Sequence, residues 1–207
     1  MNDVIIPLAK DFDPQNYHVA LTVAREKLAA HCPGQMAQQS GCPYHPTEHY
    51  FTVTCLNHPF TISYPAGRVT YQGSELLPPF PLQLIMLNYL SRADGASLTY
   101  DYISYRQLDG GQTFYDAFYR TAINPLSIAF GQDPQRLLVV AKRLGGVAVP
   151  QTSGYAVLLY LLPRVPLLYQ IWPGDEELAA QANILFDHTA NHYLHTEDLA
   201  SCDVVSR

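Results

Sequence analysis

Charge is scarce in this sequence. Charged residues make up 14% of 207 positions, against about 25% in an ordinary globular domain, and only three are lysines, Lys10, Lys27 and Lys142. With 12 Lys plus Arg against 18 Asp plus Glu, no basic stripe is left for a phosphate backbone to settle on, which excludes nucleic acid as a partner. Cysteine is sparse as well: four occur, none in a Cys-x-x-Cys pair, so a disulfide framework is excluded and the thiols are expected to be reduced. No long uninterrupted hydrophobic run is present. The most apolar stretch, Tyr155 to Trp172, is cut by Pro163, Arg164 and Pro166, leaving pieces too short to span a bilayer as helices. Residues 1–13 carry three acidic groups and one lysine, which is not a secretory leader. A cytoplasmic protein without membrane association is expected. Phosphate-binding loops and the Gly-x-Ser-x-Gly elbow are also missing, which removes the motif support for nucleotide or acyl-enzyme chemistry.

What the chain has in quantity is apolar and aromatic surface. Hydrophobic residues reach 48%, with 15 Tyr and 8 Phe beside 16 Pro, enough for a real core and incompatible with intrinsic disorder. Its length predicts one domain over residues 1–207. Tyrosine supplies contact area at small entropic cost and ends in a polar tip, so its abundance points either to an interface or ligand wall, or to strand edges and core margins.

Periodicity places the elements. Asp13-Pro14 followed by Tyr17, Ala20, Leu21, Ala24 and Leu28 predicts an opening helix, capped at Asp13 and ending near His31. Residues 33–47, rich in Gly, Pro, Gln and Ser, read as an irregular loop. Alternation from Glu48 puts Phe51, Val53 and Cys55 on one side of a strand. Asn57-His58-Pro59 turns the chain into a second strand, and Gly67 to Tyr71 adds a third. Leu84 to Leu90 predicts an apolar helix stopped at Asp94-Gly95, and Thr113 to Phe130 a helical region broken at Pro125. Asp133-Pro134 opens an amphipathic helix stopped by Gly145-Gly146. Two apolar strands follow, Tyr155 to Leu162 and Val165 to Trp172. Their near-continuous hydrophobicity predicts burial on both faces. Helices and strands are segregated, so the expected fold is α+β, a single domain with a mainly antiparallel sheet packed with several helices.

Three groups of residues could carry chemistry. Cys32, Cys42 and Cys55 lie among His31, His45, His49 and His58, soft donors suited to zinc, iron–sulfur or haem iron. In that group Cys32 and Cys42 are the candidate metal ligands, against the alternative of ordinary core cysteines and solvated histidines. If Asp187 caps a short helix, His188 and His192 fall one turn apart and could grip one metal, with Asp187 or Glu197 as base. The alternative makes Asp187 and Thr196 helix caps. Lastly, Asp175 and Glu176 follow Trp172 at a strand end, where paired carboxylates could hold a cation or meet Arg164, or simply form a turn.

The tail strings Leu162-Pro163-Arg164-Val165-Pro166, Trp172-Pro173-Gly174-Asp175-Glu176-Glu177, Ile184-Leu185-Phe186-Asp187, His192-Tyr193-Leu194 and Thr196-Glu197-Asp198-Leu199 resemble an uncharacterised domain-of-unknown-function family, number 3786. Leu87-Asn88-Tyr89-Leu90, Ser104-Tyr105-Arg106-Gln107-Leu108, Gly110-Gly111 and Leu144-Gly145-Gly146 occur in the order that family shows, from about Tyr17 onward. The resemblance implies a setting in mainly anaerobic bacteria and archaea, near iron–sulfur domains and corrinoid-dependent one-carbon enzymes. The sequence departs from it at His188 and His195, where small residues or proline are expected, and in the segment of Cys32 and Cys42, which has no clear counterpart.

The leading expectation is an accessory binding protein of anaerobic metabolism. It would accommodate a metal-containing cofactor (a tetrapyrrole or corrinoid, or an iron–sulfur group) or dock on a metalloenzyme as its protein partner. Arg164, Trp172, Asp175, Glu176 and His192 are the candidate cofactor contacts. The alternatives are a hydrolase or lyase with zinc or another divalent ion on the C-terminal His/Asp/Glu cluster, and a structural interaction module.

Overall fold

The computed structural model describes residues 14–200, with side chains from residue 18. The expected cap at Asp13 and the packing of Tyr17 lie outside the described residues. The chain is α+β, with two antiparallel sheets and helices around one continuous hydrophobic core.

Helix α1 (Pro14–Ala30) buries Leu21, Ala24 and Leu28, a stripe at three- and four-residue spacing. Helix α2 (Pro33–Ser40) then occupies the segment expected to be irregular. Pro33 sits in its first turn, where a missing N–H costs nothing, and Gly41 ends it in the left-handed region with φ 71°. Met36 is the apolar side chain it buries, with Ser40 buried at its end.

The small sheet is a meander of β1 (Tyr44–His45), β2 (Tyr50–Cys55), β3 (His58–Ser63) and β4 (Val69–Tyr71). Phe51, Val53 and Cys55 face inward, as the alternation predicts. The turn into β3 falls one step earlier than expected, on Leu56 and Asn57, both at positive φ, the geometry that matches strand twist in a two-residue hairpin. A leucine there is strained. Its complete burial and its N–H bond to Leu161 O at 3.1 Å hold it in place and tie the two sheets together.

Helix α3 (Phe80–Arg92) crosses the middle and is buried nearly all round through Leu82, Ile85, Met86, Leu87, Tyr89 and Leu90. The buried Tyr89 hydroxyl donates to Ser40 O at 2.5 Å and accepts from Arg164 N at 3.0 Å, joining α2, α3 and the second sheet. Helices α4 (Gly111–Phe118) and α5 (Asn124–Phe130) are not separated by a break at Pro125 as expected. A π turn over Tyr119–Ile123 links them, with Asn124 N–H bonded to Tyr119 O. The widened turn absorbs the proline without ending the helix. Helix α6 (Pro134–Arg143) ends as the paired glycines predict: Gly145 N bonds Lys142 O and Gly146 N bonds Ala141 O, with Gly145 at φ 79°.

The second sheet has the order β5-β9-β8-β7-β6: β5 (Tyr102–Ser104), β6 (Val147–Val149), β7 (Tyr155–Leu162), β8 (Val165–Trp172) and β9 (Gln181–Asp187). Its inward side chains, among them Val157, Leu159, Leu167, Tyr169, Ile171, Ile184 and Phe186, join the core with Phe118, Leu126, Phe130, Leu137 and Ala141 of α4–α6. The outward row does not join it. Leu158, Leu168 and Leu185, paired across β7, β8 and β9, stand outside the core cluster. The expectation of two buried faces holds at the centre of the sheet, where the outward Ala156, Pro166 and Leu168 are buried although they lie outside the main cluster, and fails at Val147 and Tyr160, which are exposed.

At the end of β9 the Asp187 carboxylate is fully buried and accepts five hydrogen bonds, from the amide and hydroxyl of Thr99, the amide of Tyr100, and the amide and hydroxyl of Thr189. Burial pushes its acid up, but these donors outweigh burial and hold it below the ordinary carboxylate range. Asp187→Ala should lower the unfolding free energy at neutral pH by about 3 kcal/mol, the cost of leaving buried donors unpaired. Because the folded acid is depressed, its contribution is present above the unfolded value near pH 4 and is lost as pH falls through the folded value. Urea unfolding should therefore show the gap between wild type and variant narrowing in acid.

Candidate functional site

Helix α3 ends at Arg92, whose cation lies beside the negative end of the helix. The guanidinium is fixed rather than free. Its Nε donates to Asn191 O at 3.0 Å and its Nη1 to His195 Nε2 at 3.3 Å. A guanidinium only donates, so His195 Nε2 is an acceptor. Two residues on, Asp94 uses one oxygen to take the Ala96 amide at 2.9 Å and the other to take His192 Nδ1 at 2.6 Å. Burial pushes the Asp94 carboxyl up, yet the His192 and Ala96 hydrogen bonds together hold it below the ordinary range.

The other wall is a single turn of 3-10 helix, Ala190–His192, which follows β9. Asn191 is its joint. Its Oδ1 accepts the Asp109 amide at 2.9 Å, and its Nδ2 donates to Thr196 Oγ1 at 3.0 Å and to Leu194 O at 3.3 Å. Thr196, at the start of α7 (Thr196–Ala200), donates in turn to Asp109 O at 2.7 Å. Tyr193, fully buried below, packs at 6.0 Å from the Tyr89 ring and donates to Ala96 O. These contacts enclose a cleft of about 350 Å³ lined by Arg92, Asp94, Asp109, Asn191 and His192.

Its chemistry is specific. An ionised carboxylate accepts, so His192 presents Nδ1–H to Asp94; in the neutral ring Nε2 carries the lone pair, and it has no partner among the described residues. That is the arrangement in which a second-shell carboxylate orients a metal-ligating imidazole. Beside it stands Arg92, which has no carboxylate partner among the described residues. No hydroxyl or thiol lines the cleft.

The sequence-derived candidates separate. Cys32 is exposed at the N-cap of α2 and Cys42 is buried beyond its C-terminus, so about 12 Å of helix divides them. Burial pushes the Cys42 thiol up to about 11 and the Cys55 thiol to about 12, making both poor ligands. Asp187 ends a strand and caps no helix, so His188 and His192 are not a helical pair. His188 is exposed and its amide is bonded to Asp101 O. Among the described residues no three His, Cys, Asp or Glu side chains assemble into a metal-binding group.

Arg164 occupies the β7–β8 turn, and the eight residues of β8 carry the chain roughly 25 Å from it to Trp172. Its pairing with Asp175 or Glu176 is thereby excluded. Asp175 instead accepts the Glu177 and Leu178 amides in a turn, which hold its acid low, and Glu176 is exposed. Trp172 lies half-buried on the outward row of the sheet. Of the named candidates only His192 is in the cleft. Arg92, Asp94, Asp109 and Asn191 went unrecognised because residues that read as a helix end and a turn meet the tail 98 positions away.

Fold and site together define an α+β protein with a small polar cleft, built where a central helix ends against the C-terminal tail. The chain belongs to the family described as Domain of unknown function (DUF3786), whose model matches residues 33–206. The match takes in α2 and Cys42 and leaves α1 and Cys32 outside. No curated protein and no solved structure matches the chain. No helix of the described residues is long and apolar enough to cross a membrane.

His192→Ala should move the Asp94 carboxyl upward toward the ordinary range, because the hydrogen bond that lowers it is gone. Carboxyl NMR titration reads this directly. An Asp94 titration that does not move would mean that the pair does not form in solution.

Proposed function

We propose that this protein is an accessory binding protein that accommodates a metal-containing cofactor of the tetrapyrrole or corrinoid class, whose metal His192 would hold through an imidazole nitrogen. The observation that carries this reading is the Asp94–His192 pair beside the anchored Arg92. The carboxylate holds the imidazole in one tautomer and orientation. Arg92 supplies a fixed positive charge for an anionic edge such as a propionate or acetamide-flanked carboxylate. The donor set suits a macrocycle that brings its own equatorial ligands, since a single histidine then suffices. It does not suit an iron–sulfur cluster, because Cys42 and Cys55 are buried and protonated while Cys32 stands apart.

A cleft of about 350 Å³ is at the small end of ligand sites, which run from about 300 to 1,000 Å³. It takes the edge of a macrocycle and leaves the rest for another protein to cover. That division supports an accessory role, in which the cofactor is shared with a metalloenzyme. The anaerobic setting implied by the family resemblance, and the cytoplasmic location expected from the sequence, suit such a role. The lining offers an imidazole, a guanidinium, an amide and two carboxylates with no hydroxyl or thiol, and on this reading those groups hold a ligand rather than transform one.

The test is an anaerobic absorbance titration with two probes, haemin and cobinamide, the latter lacking a nitrogen base of its own. Wild type should give the spectral change of axial nitrogen ligation with at least one probe. His192→Ala should abolish that change, and Arg92→Ala should weaken binding by about tenfold or more, the worth of a charge-assisted hydrogen bond. Identical titrations for wild type and His192→Ala would overturn the assignment.

A further inference from the structure

One carboxylate of the cleft has no part in holding the fold. Three aspartates of this chain bond the amide two residues further on: Asp94 takes the Ala96 N–H, Asp175 the Glu177 N–H and Asp187 the Thr189 N–H. That local contact is what suits aspartate to turns. Asp109 does not make it. The amide two residues on, that of Gly111, is bonded to Leu108 O at 2.9 Å instead. The backbone of Asp109 is held from the tail: its N–H donates to Asn191 Oδ1 at 2.9 Å and its C=O accepts from Thr196 Oγ1 at 2.7 Å. Gly110 follows at φ 71° and closes the turn. The Asp109 carboxylate itself makes no hydrogen bond or ion pair among the described residues, although Asp109 lines the cleft beside Arg92.

The charges of the cleft therefore sort into one closed pair and two open groups. Asp94 and His192 answer each other at 2.6 Å. Arg92 and Asp109 share the cleft without forming an ion pair with each other. Both are anchored on Asn191, Arg92 through the Asn191 carbonyl and Asp109 through its side-chain Oδ1, so a single residue sets their spacing. A guanidinium only donates and a carboxylate only accepts. We infer that Arg92 and Asp109 together read the rim of the bound macrocycle, selecting side chains that end in carboxamides over side chains that all end in carboxylates. The inference rests on the reading of the cleft as the seat of a macrocycle edge. A primary carboxamide offers a carbonyl oxygen to the guanidinium and N–H groups to the carboxylate. A rim of carboxylates offers acceptors alone: it satisfies Arg92, but brings like charge to Asp109 and leaves that group without a donor. Where a carboxylate and an amide stand side by side on the rim, Arg92 takes the first and Asp109 the second. Corrinoids, whose rims carry carboxamides, are thereby favoured over haems, whose rims carry propionates.

Two cobalt probes with the same ring test this: cobinamide, whose side chains end in amides, and cobyrinic acid, whose side chains end in carboxylates. In absorbance titrations of the full chain, wild type should bind cobinamide at least about tenfold more tightly than cobyrinic acid, the worth of one charge-assisted hydrogen bond. Asp109→Asn removes the charge and keeps the shape. It should lower that preference by about fivefold or more, chiefly by strengthening cobyrinic acid, with the far-ultraviolet circular dichroism unchanged. Asp133→Asn removes the same charge at an exposed position outside the cleft lining and should leave the preference as it was. Equal affinity for the two probes would overturn the inference, as would a preference that both substitutions lower alike, because the discrimination would then come from overall charge. In either case a spectral change that depends on His192 leaves the binding reading standing. No such change with either probe would overturn that reading and this inference with it.

Discussion

The buried carboxylate of Asp187 is the constraint on which both the large sheet and the polar cleft depend. It ends β9, and its five hydrogen bonds reach backward to the residues before β5 and forward to Thr189. The backward bonds register the edge strand against β9 and so complete the large sheet. The forward bonds force the chain into a tight turn, which delivers Asn191 and His192 to the end of α3. A buried charge is tolerable only when its donors are complete, and this one is met by two hydroxyls and three amides. Losing it would loosen the sheet edge and the cleft wall together.

A second hub, Tyr89, fixes the opposite wall. Through Ser40 and Arg164 it locks α3 between α2 and the β7–β8 turn, and through its ring it meets Tyr193. The helix end that carries Arg92 and Asp94 is thus held by buried contacts on several sides, while the groups lining the cleft remain accessible. This is the usual way to make a polar site precise: rigid elements below, with hydrogen-bonded side chains at the rim. The cleft's charges are largely internal to it. Asp94 is answered by His192, while Arg92 is steered by a carbonyl and an imidazole and has no carboxylate partner among the described residues.

Much of the architecture was legible along the chain. The apolar runs of β7 and β8, the alternation of β2 and the glycines ending α6 each carry their own local signal, so each element stands where periodicity puts it. What escaped was set by tertiary contacts. Helix α2 has the composition of a loop and is helical because Met36 finds the core. Pro125 signals a break, but a π turn lets the helix continue. His188 and His192 match a helical metal pair only if Asp187 starts a helix, and the five bonds that keep Asp187 in the sheet remove that premise. The cleft itself has no local signal, since Asp94 and His192 acquire meaning only when 98 residues of chain bring them to 2.6 Å. Sheet order had no local signal either: β9, the last strand in sequence, enters between β5 and β8.

The central claim is that His192, held by Asp94, is a metal donor. Electron paramagnetic resonance of reduced cobinamide bound to the protein tests it most directly, because an axial nitrogen splits the cobalt signal. With ordinary histidine each component should divide into three lines, and with histidine labelled by the heavy nitrogen isotope into two. A spectrum without nitrogen splitting, or one unchanged by the label, would contradict the account.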